Sequence, residues 1–236
     1  MGGGVGISVH GSHRVVTERC QWAMPETKIG FFPDVGVSYH LARCPEMVGY
    51  YLALSGRSIP AACAHEFGLA DAVVDASHLG ELEQALYATE LCGDVNTVLS
   101  DVISHFMTPS VSLLAEYYPK IRRCFSMCSV AGIIEALALE GDDWSDALIA
   151  ELNERSPTSL AVTFAQLNRA INFELNEVIQ QDAVLANHFL QQPDLFEGVR
   201  ALLIDKDGQP KWTPATLTAV QPERVEDYFN AASMVA

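Results

Sequence analysis

Apolar periodicity is clearest in the last third of the chain. Ser156-Pro157 reads as a helix start, serine as cap and proline at the first helical position. Leu160, Phe164, Leu167 and Ile171 then recur at intervals of four, three and four, which predicts one buried face. A second helix is predicted from about Glu174, carrying Leu175, Val178, Leu185 and Phe189. Residues 77–155 also read as helical, with stripes at Leu79, Leu82, Ala85 and Leu86 and at Ile133, Ile134, Leu137 and Leu139. Pro109, Pro119, Gly132 and the turn Gly141-Asp142-Asp143 punctuate this region. Residues 1–76 are mixed. Cys20 to Met24 alternates as a short strand, and Met47 to Leu54 is an apolar run with Tyr50, Tyr51 and Leu54 at helical spacing, closed by Ser55-Gly56. Pro60 opens a short helix through Ala64 and Phe67, and Ala70 to Val74 reads as a strand. The pattern predicts three segments, 1–76, 77–155 and 156–236.

At 236 residues, 49% hydrophobic and 19% charged, the chain supports one sizeable core, or one core with a helical extension, rather than a disordered segment. No window approaches the roughly 18 apolar residues of a membrane span, so no membrane partner is expected. The first residues lack the basic-then-apolar order of a secretory signal, and Gly6 stands where a myristoylation pattern needs Ser or Thr. A formal charge of −16 argues against nucleic acid as a partner. The six cysteines show no metal spacing and are simplest as reduced thiols, and His10 and His13 lack further ligands nearby, so no metal site is expected.

Chemistry is concentrated near the start. Gly2, Gly3 and Gly4 leave the backbone bare just before an apolar stretch that reads as a helix, so peptide N–H groups there are open to a ligand. Such an arrangement can form an oxyanion hole, although a glycine triplet alone is most simply a turn. Glu26 and Asp34 lie eight positions apart across TKIGFFP, a turn-prone loop with Met24, Phe31 and Phe32 nearby. Burial and mutual repulsion would raise the pKa of at least one acid, equipping it for acid–base work or attack on an acyl carbon. Two solvated loop acids would be the plainer outcome.

MGGGVGISVHG followed by AMPETKIGFFPDVG resembles the central segment of the crotonase (enoyl-CoA hydratase/isomerase) superfamily, and within it the branch that hydrolyses 3-hydroxyisobutyryl-CoA in valine breakdown. LALSGRSIPAACAHEFGLADAVVD, SPTSL and FEGVRALLIDKDGQPKWTP extend the resemblance along nearly the whole chain. It implies an α/β fold: a crotonase-like ββα spiral, incomplete here, followed by a helical C-terminal region. In these terms, 1–76 resembles the C-terminal part of the core with its active-site loop, 77–155 a helical insertion, and 156–236 the region lying over the coenzyme A site. The resemblance further implies Gly3, with Gly2 and Gly4 around it, as the oxyanion N–H donor, Glu26 as the main catalytic carboxylate and Asp34 as the second.

One departure separates branches of the superfamily. Hydratases carry a glutamate two positions after GGG, where this chain has Gly6, and usually a glycine where it has Asp34. The implied activity is therefore thioester hydrolysis, by a mixed anhydride on Glu26 or by activated water, with enoyl-CoA hydration or isomerisation as the alternative. A non-catalytic CoA-binding or assembly subunit is the alternative of another class. The CoA thioester is substrate, so no cofactor is implied. Its phosphates need local cations that the overall charge does not promise, and Arg200, Lys206 and Lys211 are the candidates. Asp205-Lys206-Asp207-Gly208 lacks the spacing of a calcium loop and is expected to be a turn. The family's early strands and first oxyanion donor have no counterpart, so a shortened chain is expected, forming a homo-oligomer or paired with a chain supplying that part. Mitochondrial localisation follows by analogy.

Overall fold

The computed structural model describes residues 1–109 and 111–230; residues 231–236 of the expected 156–236 segment lie outside the described residues. The chain opens with α1 (Gly3–Ser8), β1 (Val15–Thr17), β2 (Gln21–Trp22) and a 3-10 turn at Glu26–Ile29. It continues through α2 (Val37–Leu41), α3 (Val48–Ser55), β3 (Ile59–Pro60), α4 (Ala61–Glu66) and β4 (Ala72–Val74). The middle is helical: α5 (Leu79–Ala88), α6 (Val95–Ser104), α7 (Tyr118–Phe125), α8 (Val130–Glu140) and α9 (Asp143–Asn153). Then come α10 (Pro157–Ala170), α11 (Leu175–Phe189), α12 (Pro193–Val199), a π-helical turn at Arg200–Ile204, and α13 (Pro222–Asp227).

The strands form two small ladders. β1 pairs in parallel with β4, Val15 facing Ala72 and Thr17 facing Val74, while β2 pairs antiparallel with β3. The strand predicted over Cys20–Met24 is thus only Gln21–Trp22, because Ala23 and Met24, 1% and 0% exposed, go into the core rather than along a ladder. The predicted Ala70–Val74 strand likewise shrinks to Ala72–Val74.

α3 is the centre of the molecule. Every residue from Val48 to Ser55 is buried, so it has no polar face to offer water, as expected of a helix packed on all sides. Gly56, left-handed at φ 63°, ends it as predicted. A Cβ on Gly49 would fall 1.7 Å from the Leu41 carbonyl oxygen, so only glycine lets α3 approach α2 this closely. The main core draws on α1 to α4, α7 to α11 and Trp22, and so spans all three sequence segments.

α10 starts where predicted: Ser156 Oγ accepts from the Ser159 N–H at 3.1 Å, with Pro157 in the first turn. α11 is closed at its N-terminus by a capping box between Glu174 and Glu177. Three predicted stripe positions are exposed instead, the first being Leu79, 40% exposed at the start of α5. Ile171, 52% exposed, lies just past the end of α10. Leu139, 89% exposed, sits two residues after the buried Leu137, about 200° round the helix. Gly132 lies inside α8 and does not break it.

Candidate active site

Two backbone contacts fix the turn that carries Glu26. A Cβ on Gly30 would fall 2.4 Å from the Asp194 carbonyl oxygen and one on Gly198 2.3 Å from Ile29, so α12 lies against the turn backbone to backbone. Thr27 Oγ1 donates to the Leu54 carbonyl at 3.2 Å, tying the same turn to α3. Asp194 holds the other side: its buried carboxylate accepts from Ser156 Oγ at 2.6 Å and from the Thr213 N–H at 2.8 Å.

Glu26 lies against the glycine turn, since a Cβ on Gly2 would sit 3.3 Å from its Oε1. Gly2 itself has φ 54° and ψ −129°, a conformation that L side chains rarely adopt. The three glycines are not equivalent. The Gly2 N–H donates to the Ala23 carbonyl at 3.1 Å and the Gly4 N–H to Met1 at 3.3 Å, whereas the Gly3 N–H has no acceptor among the described residues. Open space adjoins Gly3. Of the three N–H groups only that of Gly3 is uncommitted, and it follows directly on the glycine that Glu26 lies against.

Glu26 is 8% exposed, and its Oε2 has no hydrogen-bond partner among the described residues. Burial, reinforced by the charge of Asp34, raises its pKa from an ordinary 4.5 to about 7, with its own backbone amide acting in the opposite direction. Burial also raises the pKa of Asp34. Phe32, fully buried with Val162, Leu185, Phe189 and Tyr228, ties the loop before Asp34 to α11.

The loop from Pro33 to Gly36 reaches α1 one turn beyond the glycines. Val35 has φ 55°, an outlier for a β-branched residue, and packs on Gly6. A Cβ on Gly6 would come within 2.3 Å of Val35 Cγ2. The position where hydratases carry a glutamate is thus closed to any side chain while Val35 keeps this conformation.

The phosphate candidates separate sharply. Both terminal nitrogens and Nε of Arg200 are held by carboxylates: Glu197 at 2.9 Å twice, Asp205 at 2.6 Å and Asp207 at 2.7 Å. It holds its own turn together and has no donor face for a phosphate, which corrects that expectation. Lys206, at φ 56°, is exposed to solvent. Lys211 lines a cavity of about 840 Å³ with Lys28, Arg155, Trp212, Glu151 and Glu154. Arg155 is 6% exposed and donates to the Ser55 carbonyl at 3.1 and 3.2 Å. Burial first, and then the neighbouring Arg155, lowers the pKa of Lys28, whose ammonium lacks a counter-ion sufficient to offset them. Neither Lys28 nor Arg155 stands out along the chain, because a basic cluster assembled from distant segments leaves no local pattern.

Asp182 and Gln166 were also missed. Asp182, 5% exposed on α11, accepts from the Gly36 N–H at 2.7 Å and from Gln166 Nε2 at 2.8 Å. A signal existed: Asp182 falls four residues after Val178 and three before Leu185, a carboxylate in a buried register. Among the described residues no cluster of side chains could hold a metal, and no helix is long and apolar enough to cross a membrane.

A family model described as enoyl-CoA hydratase/isomerase matches residues 1–229. The chain is similar to the mitochondrial 3-hydroxyisobutyryl-CoA hydrolases of Homo sapiens, 40% identical over 237 residues, and of Dictyostelium discoideum, 38% identical over 238. These alignments cover 98% and 99% of this chain but 61% and 62% of those proteins. Among solved structures it resembles a carnitinyl-CoA dehydratase from Mycobacterium thermoresistibile, with a TM-score of 0.88 and 35% identity over 99% of this chain and 66% of that one. An enoyl-CoA hydratase from Rhodobacter sphaeroides gives 0.86 and 31%, over 97% and 65%.

Proposed function

The chain belongs to the enoyl-CoA hydratase/isomerase family, and on that premise we propose that it is an acyl-CoA thioester hydrolase acting on 3-hydroxyisobutyryl-CoA in mitochondrial valine catabolism. The observation that carries the reading is the closed space at Gly6 together with two acids elsewhere, Glu26 beside the free Gly3 N–H and Asp34 on the neighbouring loop. Hydration across a double bond in this family uses a carboxylate where Val35 leaves no room. Hydrolysis needs only a polarised carbonyl and an acid pair that delivers water.

In this reading the thioester oxygen accepts the Gly3 N–H, which stabilises the charge developing as the acyl carbon becomes tetrahedral. Ionised Glu26 either attacks that carbon, giving a mixed anhydride that water opens, or removes a proton from attacking water. In both routes the C–S bond breaks, the coenzyme A thiolate takes a proton, and Asp34 orients the water. No further cofactor enters.

The cavity bordered by Lys28, Arg155 and Lys211 would receive the coenzyme A phosphates, reconciling such a substrate with a chain of net charge −16. Lys28 belongs to the same turn as Glu26, two residues further along the chain. Lys28→Met is expected to raise KM about tenfold, equivalent to roughly 1.4 kcal/mol, with kcat little changed. A kcat loss with KM unchanged would place the phosphates elsewhere.

The deciding assay follows thiol release from 3-hydroxyisobutyryl-CoA beside hydration of crotonyl-CoA. Thiol release without hydration is the expected result. Hydration alone would refute the hydrolase reading, and absence of both would favour a non-catalytic subunit.

A further inference from the structure

Outside the Glu26 turn, a buried polar arrangement sits under the loop that carries Asp34. Gln166 Nε2 donates to the Pro33 carbonyl at 3.0 Å and to Asp182 Oδ1 at 2.8 Å, and Asp182 Oδ2 accepts from the Gly36 N–H at 2.7 Å. Gln166 is fully buried on α10 and Asp182 is 5% exposed on α11. The residues immediately before Asp34 and two after it are thus fastened to one Gln–Asp pair bridging two helices. On the opposite side, His10 Nε2 bonds the Val35 carbonyl at 2.7 Å.

This fastening has work to do. Val35 is held at φ 55° and Gly36 at φ 76°, so two consecutive residues are left-handed and the first of them is β-branched. Such a conformation persists only where the surroundings over-determine it. Released from Asp182, the Gly36 N–H would lose its buried acceptor, the valine would relax toward negative φ, and the Asp34 carboxyl would move with it. None of these bonds is made by Glu26 or the glycine turn, and neither Asp182 nor Gln166 bonds the Asp34 carboxyl directly.

We propose that Asp182, through its bonds to the Gly36 N–H and Gln166, is a positioning residue that holds the Asp34 loop in its left-handed conformation. The catalytic consequence rests on the hydrolase reading; the conformational part does not. Asp182→Asn can keep an acceptor for the Gly36 N–H, but it turns an amide toward Gln166. Satisfying that amide with Gln166 Oε1 would withdraw the donor from Pro33. Asp182→Ala removes both links.

The test combines amide hydrogen exchange with steady-state kinetics on the full chain. In Asp182→Ala the Gly36 amide should exchange at least about tenfold faster while Leu52 and Leu54 in α3 keep their protection, showing local rather than global opening. kcat for thiol release should fall about 10- to 100-fold with KM within about twofold, as expected of a displaced catalytic group beside an intact binding site. Asp182→Asn should be intermediate in both, and supplies the measurement if the alanine variant does not fold. Unchanged Gly36 exchange in both variants would overturn the proposal, as would a kcat loss matched by lost protection in α3. A wild-type chain that releases no thiol would instead remove the hydrolase reading, and the Gly36 amide would then decide the loop assignment by itself.

Discussion

Replacing Glu26 by glutamine is expected to lower thiol release by several orders of magnitude while making the protein more stable at pH 8. Glutamine fills the same volume against Gly2 but can neither attack an acyl carbon nor take a proton from water. The stability effect follows from linkage. The Glu26 carboxyl holds its proton up to about pH 7 in the fold and releases it near 4.5 once unfolded. Between those values the folded chain binds the extra proton, so stability falls as pH rises through this window, and the loss is complete above it. A shift of that size corresponds to about 3 kcal/mol above pH 7, and the glutamine variant should lack it. Denaturant unfolding at pH 4.5 and pH 8 checks the sign: the two proteins should converge at the lower pH and separate at the higher, the variant ahead. Burial raises the pKa of Asp182 as well, to about 7, so some pH dependence should survive in Glu26→Gln. Wild-type activity should climb through pH 7 as Glu26 ionises. Near-normal turnover in the variant would sink its assignment, and lower stability at pH 8 would show that the carboxylate has a partner when charged.

What could be read from the sequence divides along a physical line. Features set by neighbours in the chain were legible: Ser156-Pro157 opening α10, Gly56 closing α3 and the glycine turn before α1. Features set by contacts between distant segments were not. Arg200 reads along the chain as a free cation, but the fold encloses it with Glu197, Asp205 and Asp207. Lys28 and Arg155 lie 127 positions apart and become neighbours only because the fold brings the Glu26 turn and the stretch after α9 to the rim of one cavity. Asp182 was an intermediate case, visible as a charge in a buried register but without meaning until Gly36 and Gln166 were placed against it. The pattern also overestimated strands, since alternation over Cys20–Met24 cannot distinguish a ladder from an extended stretch entering a core.

The second large effect concerns Gly6 and Val35, whose contact decides where the second acid can stand. Gly6→Ala puts a methyl within 2.3 Å of Val35 Cγ2 and 2.8 Å of its Cβ, closer than van der Waals contact permits. The valine cannot simply rotate clear, because its Cβ is itself too close and the loop is fastened at Pro33 and Gly36. Overpacking of this kind costs about 1–3 kcal/mol, and relief by shifting the loop would displace Asp34, so stability and turnover should fall together. Val35→Gly removes the obstructing side chain and places at φ 55° the residue best suited to it, so released strain of about 1–3 kcal/mol should outweigh glycine's greater loss of chain entropy. The double variant should therefore recover most of what Gly6→Ala loses. A double-mutant cycle in denaturant should show coupling of about 1–3 kcal/mol, whereas two independent sites would add within roughly 0.5 kcal/mol. Additive behaviour would mean that the valine yields freely, leaving position 6 open to a glutamate and removing the main structural reason to prefer hydrolysis over hydration. Strong coupling would mean that the left-handed valine and the bare glycine are one device, so that in this fold the second carboxylate has to come from the loop holding Asp34.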